Sequence, residues 1–136
     1  GLSVDGQGRV LGEHQGVASY TIGQRKGLGI ASGAPLFVTH LDAAAARVTL
    51  GPRSAVLHHH LRAGGANWHC DPPEEFEATV QVRYNHAGGT GRVRRTGADG
   101  FEVTFAEPVL AITPGQAAVC YEGERLLGGG WIDAAW

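Results

Sequence analysis

FEATVQVRY, residues 76–84, alternates apolar and polar side chains without a break. Phe76, Ala78, Val80, Val82 and Tyr84 fall on one side, and Glu77, Thr79, Gln81 and Arg83 on the other. That is the period of a strand with one face in a core and the other in water. Downstream, residues 92–96 run outward, Gly97-Ala98-Asp99-Gly100 turns, and residues 101–105 return. Phe101, Val103 and Phe105 then point inward, and Glu102 and Thr104 outward, as a hairpin requires. Residues 108–112 read as a further strand with Thr113-Pro114-Gly115-Gln116 as its turn. Residues 117–121 and 125–127 pair across Glu122-Gly123-Glu124, and Gly128-Gly129-Gly130 leads to a last short strand, Trp131-Ile132. Short antiparallel strands in this succession predict a six-stranded closed barrel.

Upstream the pattern changes. Residues 54–66 hold His58-His59-His60 and Gly64-Gly65, and read as a seam between two modules. The expected division is residues 1–57 and residues 58–136. In the first module, residues 5–8 read as a turn between two short strands, residues 18–22 as a strand, and residues 36–41 and 47–50 as two more. Residues 42–46 make the turn between the last two, and Gly51-Pro52 ends the second. The fold class is therefore all-β: a small β module followed by a six-stranded antiparallel β-barrel.

Composition narrows the function. The chain has 136 residues, 22 of them Gly, no Met, and a formal net charge of −2. Beginning at Gly with no Met anywhere, it reads as a piece of a longer protein. A dedicated nucleic-acid-binding domain is usually basic overall, so any contact with RNA must be a local patch. Two cysteines, Cys70 and Cys120, make neither a disulfide framework nor a four-ligand zinc set. A reduced, cytoplasmic protein is the economical expectation. No run approaches the roughly 20 apolar residues of a membrane helix, so no membrane partner is expected.

Two windows are basic. Residues 12–30 carry Gly12, Gly16, Gly23, Gly27 and Gly29, and no Asp or Glu occurs from His14 to Leu41. A tight loop there presents Gln24, Arg25 and Lys26 with no local neutralisation, as suits an anionic partner; the plainer alternative is a solvated Gly-rich turn. From Ala78 to Ala98 there is again no acid, while Arg83, His86, Arg92, Arg94 and Arg95 are present. Guanidinium groups suit phosphate, and Tyr84 beside Arg83 can stack on a base or ribose. The alternative is a solvated barrel face partly paired with Glu77 or Glu102.

Other chemistry is sparse. Consecutive His residues on a strand point to opposite faces, so His58-His59-His60 does not chelate one ion easily. A site from His58, His60 and Cys70 is conceivable, but solvent-exposed linker His is the better reading. Cys120 sits mid-strand as an inert thiol, and Cys70 lies in a turn with only His69 beside it. No Ser–His–Asp set or carboxylate pair stands out, so no catalytic residue is expected.

The run H-x-G-x-x-x-Y-T-I-G-Q-R-K-G-L-G-I, His14 to Ile30, resembles the signature of the tRNA-specific 2-thiouridylases. Further matches follow in order: Pro35-Leu36-Phe37-Val38, Val82-Arg83-Tyr84, Glu107-Pro108, Thr113-Pro114-Gly115-Gln116 and Leu127-Gly128-Gly129-Gly130. The resemblance runs from about Val4 to Ile132 and implies the central and C-terminal domains of such an enzyme, the latter a β-barrel. It implies a parent that uses ATP with Mg to adenylate C2 of a wobble uridine, and two cysteines that relay sulfur. The Ser-Gly-Gly-Val-Asp-Ser loop that binds ATP is absent here. Neither Cys70 nor Cys120 sits in the motifs that hold the relay cysteines, so this chain alone is expected to be inactive and to need no cofactor. The implied partners are tRNA, an N-terminal ATP-binding catalytic domain, and a sulfur-donor protein. The resemblance implicates Arg83 and Tyr84 in tRNA contact and brings no metal to the His cluster. Where the family often continues with a further Arg, this chain has Asn85, which weakens the local charge. The expected tRNA-binding set is Arg83, Tyr84, Arg25, Lys26, Gln24, Arg92, Arg94 and Arg95. Two alternatives stay open. The Gly-rich loop packs against the catalytic domain, or the barrel is a structural module facing protein.

Overall fold

A computed structural model of the chain describes residues 1–25, 28, 35–83 and 88–136. Two units, Gly1–Leu57 and His58–Trp136, each hold their own sheet.

In the first unit, β1 (Leu2–Val4) and β2 (Val10–Glu13) form a hairpin. The Asp5 carboxylate closes its turn, accepting the Gln7 and Arg9 N–H groups at 2.9 Å each. The Arg9 guanidinium also pairs with it at 2.8 Å, and these bonds hold the Asp5 carboxyl below its ordinary pKa, the Arg9 backbone bond foremost. β3 (Phe37–Asp42) and β4 (Arg47–Gly51) form a second hairpin. Asp42 accepts the Ala45 N–H at 3.1 Å inside its turn. The sheet order is β2-β1-β4-β3, with β1 and β4 parallel. Val38, Val48, Leu50 and Leu28 form the core, flanked by Val17, Tyr20, Ile22, Leu36 and Leu41.

Residues 18–22 are not the strand that their side chains suggest. Val17–Ser19 is one 3-10 turn, and Tyr20 N–H returns to Val17 O at 3.0 Å. Val17, Tyr20 and Ile22 still reach the core, but from a chain that folds over the sheet instead of joining it.

The second unit is a closed antiparallel barrel in the order β10-β5-β8-β7-β6-β9. Its strands are β5 (Leu57–Trp68), β6 (Glu75–Gln81), β7 (Gly89–Thr96), β8 (Gly100–Leu110), β9 (Ala117–Glu122) and β10 (Arg125–Ala135). The alternation at residues 76–82 is realised: Ala78, Val80 and Val82 are buried, and Glu77 is exposed. They meet Leu61, Val93, Phe101, Val103, Cys120 and Ile132 inside the barrel.

Three strands depart from expectation. The expected linker is β5, a 12-residue strand whose inward positions, such as Leu61 and Ala63, are buried between outward polar ones. β8 runs straight through Glu107-Pro108. The ladder to β7 ends at the Gly91–Phe105 pair, so Pro108 lies beyond it and its missing N–H costs that ladder no bond. β10 absorbs Gly128-Gly129-Gly130. A Cβ on these would lie 2.4 Å from Asn67 O, 2.4 Å from Ala118 O and 2.7 Å from Gly64 O. Neighbouring backbones approach too closely there for any side chain, and the glycines sit within the ladders to β5 and β9.

Candidate nucleic-acid interface

Strand alternation places Arg92 and Arg94 outward on β7, on either side of buried Val93. Arg92 faces Thr104 of β8 and Glu77 of β6 in register, and Arg94 faces Glu102 and Glu75. The charges interlock. Arg94 Nη2 lies 2.6 Å from Glu102 Oε2, and Arg92 Nη2 lies 3.2 Å from Glu75 Oε2. Glu75, Arg92, Arg94, Glu102 and Thr104 line a shallow groove of about 210 Å³. Exposed ion pairs of this kind contribute about 0–1 kcal/mol, so a phosphate can displace the carboxylate at little cost.

Arg95 is separate from this pair. It is half-buried, donates to Pro72 O at 2.7 Å, and sits 3.3 Å from Asp71 Oδ1. Its guanidinium lies 5.8 Å from the centre of the Trp68 ring. These contacts tie the β5–β6 connection to β7.

Arg83 follows β6 and is part-buried. Its Nη1 donates to Leu110 O at 2.5 Å and approaches Ala111 O at 3.4 Å. Ala111 has φ +56°, a left-handed conformation uncommon for a side-chain-bearing residue. Arg83 therefore clamps the end of β8 through main-chain carbonyls, a use that strand alternation did not disclose. Tyr84, expected beside it as a stacking ring, lies outside the described residues, as does His86.

The Gly-rich loop is tied to the open side of β3. Gly23 N–H donates to Val38 O at 2.7 Å, and Val38 N–H donates to Gln24 O at 2.9 Å. Gln24 Oε1 accepts the Thr21 N–H at 3.0 Å, so the side chain expected at the interface also shapes its own turn. Arg25 follows, exposed. Lys26 lies outside the described residues. His14, the first residue of the signature, serves structure: its Nε2 is 3.0 Å from Ala46 O, and its ring meets Tyr20 edge-on at 5.3 Å.

The His cluster points away from a shared metal. His60 stacks on Trp136 with ring centres 5.4 Å apart, and its Nδ1 is 3.2 Å from Thr104 Oγ1. Burial pushes the His58 imidazole below its ordinary pKa. Among the described residues no three His, Cys, Asp or Glu side chains converge on one point, His58, His60 and Cys70 included. Burial pushes the Cys120 thiol up to about 12, far from a thiolate at neutral pH. Cys70 is half-buried with Sγ 3.9 Å from Leu127 O. Among the described residues no helix is long and apolar enough to cross a membrane. The guanidinium-bearing residues Arg25, Arg92 and Arg94 are exposed on the described surface.

Residues 1–52 match the family model described as tRNA methyl transferase PRC-barrel domain, and residues 58–132 match the aminomethyltransferase beta-barrel domain. The chain is 48% identical over 135 residues to the tRNA-specific 2-thiouridylase MnmA of Carboxydothermus hydrogenoformans, covering 98% of this chain and 37% of that protein. It is 46% identical over 136 residues to the one from Geotalea uraniireducens, covering 99% and 36%. It is 44% identical over 134 residues to the one from Magnetococcus marinus, covering 97% and 37%. The chain thus spans little more than a third of the length of these curated relatives.

Proposed function

This chain belongs to the tRNA-specific 2-thiouridylase family, and from that premise we propose that it is the tRNA-positioning part of an ATP-dependent wobble-uridine sulfurtransferase. The observation that carries the reading is the near-complete match of this chain to about a third of each relative. The chain itself has no nucleotide-binding loop and only two cysteines, one of them deeply buried. Adenylation of the uridine by ATP with Mg, and sulfur relay from a donor protein, belong to the rest of the enzyme in this reading. This chain alone has no turnover, and it works in the cytoplasm.

Its own work is to bind and orient. Arg25 and Lys26, on a loop shaped by Gln24, and Arg92 and Arg94 on the barrel contact tRNA phosphates, which fixes register without reading sequence. Tyr84 stacks on a base or ribose. Arg83 and Arg95 act through the backbones they hold, so their effect on tRNA is one of positioning.

The test is fluorescence anisotropy of this chain with an unmodified tRNA over a range of salt. Affinity that falls steeply with salt supports the reading, with a slope of roughly −0.7 to −0.9 per phosphate contact. A second reading, a barrel that faces protein and supports the catalytic domain or docks the sulfur donor, is favoured by the intramolecular partners of Arg92, Arg94 and Arg95. A slope near zero selects it.

A further inference from the structure

The two units differ in how their cations are used. Unit Gly1–Leu57 has five basic and three acidic residues, and unit His58–Trp136 has six and ten, which accounts for the chain's 11 and 13. In the barrel every Arg has an intramolecular partner. Arg62 pairs with Asp133 at 2.7 Å, and Arg125 with Glu122 at 3.8 Å. Arg92, Arg94 and Arg95 pair with carboxylates, and Arg83 with carbonyls. Glu74, Glu77, Asp99, Glu107 and Glu124 are left with no ion pair among the described residues, so the barrel's uncompensated charge is negative.

The first unit is the reverse. Arg9 is held by Asp5. Among the described residues Arg25, Arg47 and Arg53 make no hydrogen bond or ion pair through their guanidinium groups, and all three are exposed.

Arg47 and the turn that bears Arg53 lie on one side of the sheet. On β4, Val48 and Leu50 point into the core, so Arg47, Thr49 and Gly51 point to the opposite side. The 3-10 turn Arg53–Val56 comes back over that side: a Cβ on Gly51 would lie 3.5 Å from Ala55 Cβ. Arg47 and the turn bearing Arg53 thus bracket a strip of β4 about 13 Å long. Asp42 is the register partner of Arg47 and, beyond Leu2, Glu13 continues the row. Neither forms an ion pair with Arg47, and Asp42 accepts the Ala45 N–H instead.

We infer that Arg47 and Arg53, at exposed positions of β4 and of the turn that follows it, are phosphate-binding residues that join Arg25 as the primary polyanion contacts of this chain. The barrel arginines rank second, because each must leave a partner before it can take a phosphate. This rests on the tRNA-positioning reading, which gives the polyanion its identity.

The experiment compares the 136-residue chain with two double variants, Arg47→Gln/Arg53→Gln and Arg92→Gln/Arg94→Gln, by anisotropy with an unmodified tRNA from about 50 to 200 mM salt. Circular dichroism first checks that each variant is folded. The expected result is that the first pair weakens binding about tenfold at low salt and lowers the salt slope by roughly 1.5, while the second weakens it by only about threefold with a smaller change of slope. If the wild type binds and the first pair leaves Kd and slope unchanged, the inference is overturned and the positioning reading stands. A wild-type chain that does not bind tRNA at about 50 mM salt overturns the positioning reading, and this inference with it.

Discussion

Arg83→Ala separates structural support from RNA contact. The Arg83 guanidinium is part-buried and caps the carbonyl of Leu110, with Ala111 O close behind. A hydrogen bond to a charged group contributes about 1.5–3 kcal/mol, and truncation leaves carbonyls without their donor. We expect a loss of about 2–3 kcal/mol from the barrel. For a unit the size of His58–Trp136, each kcal/mol shifts Tm by about 4–8 °C, so the barrel should melt about 10 °C lower or more. Trp68, Trp131 and Trp136 are the chain's only tryptophans and all lie in that unit, so intrinsic fluorescence follows its melting. Arg83→Lys keeps the charge and loses the forked donor, and should recover part of the loss. An Arg83→Ala chain with unchanged Tm and weakened tRNA binding would refute the clamp and restore Arg83 to direct contact.

The thiols should differ sharply. In the folded chain at pH 8 a maleimide should modify Cys70 and spare Cys120, whose burial pushes its pKa up to about 12, until denaturant is added. Because that folded-state value is raised, stability linked to Cys120 is fully present below its unfolded value of about 9 and is lost as pH rises towards about 12; Cys120→Ala should flatten the urea midpoint across that window. Gly128→Ala, with φ +148° and Asn67 O 2.4 Å from the new Cβ, should cost about 3 kcal/mol or more. Gly97→Ala, with φ +59° and open space around it, should cost only about 1–2 kcal/mol.

What was legible in the chain tracks how directly each side chain reports its surroundings. Residues 76–83 announce a strand because water lies on one side and core on the other. β5 conceals itself: His, Gly and Ala are poor strand formers, and its membership comes from the partners β10 and β8, not from its own composition. The glycines of β10 signal turns in isolation, yet they are set by crowding from Asn67 and Gly64, far away in sequence, and from Ala118 on the neighbouring strand. Residues 18–22 err the other way: Tyr20 and Ile22 serve the core from the irregular chain that follows a 3-10 turn. The basic windows were visible as charge, but charge alone does not say which cations are spent. The partners of Arg83 and Arg95 lie more than 20 residues away, and Arg47 and Arg53 fall in no conspicuous run.

The closure of the barrel carries a consequence for its birth. β10, the barrel's last strand in chain order, hydrogen-bonds both β9 beside it and β5 at the start of the unit, where Gly128 meets Trp68. Until β10 leaves the ribosome, β5 and β9 both wait with an open edge. A nascent barrel therefore spends most of its synthesis as an unclosed sheet, exposed to pairing with other chains. The step that ends this hazard joins residues about as far apart as the unit allows, so it is the slowest to arrive by chance.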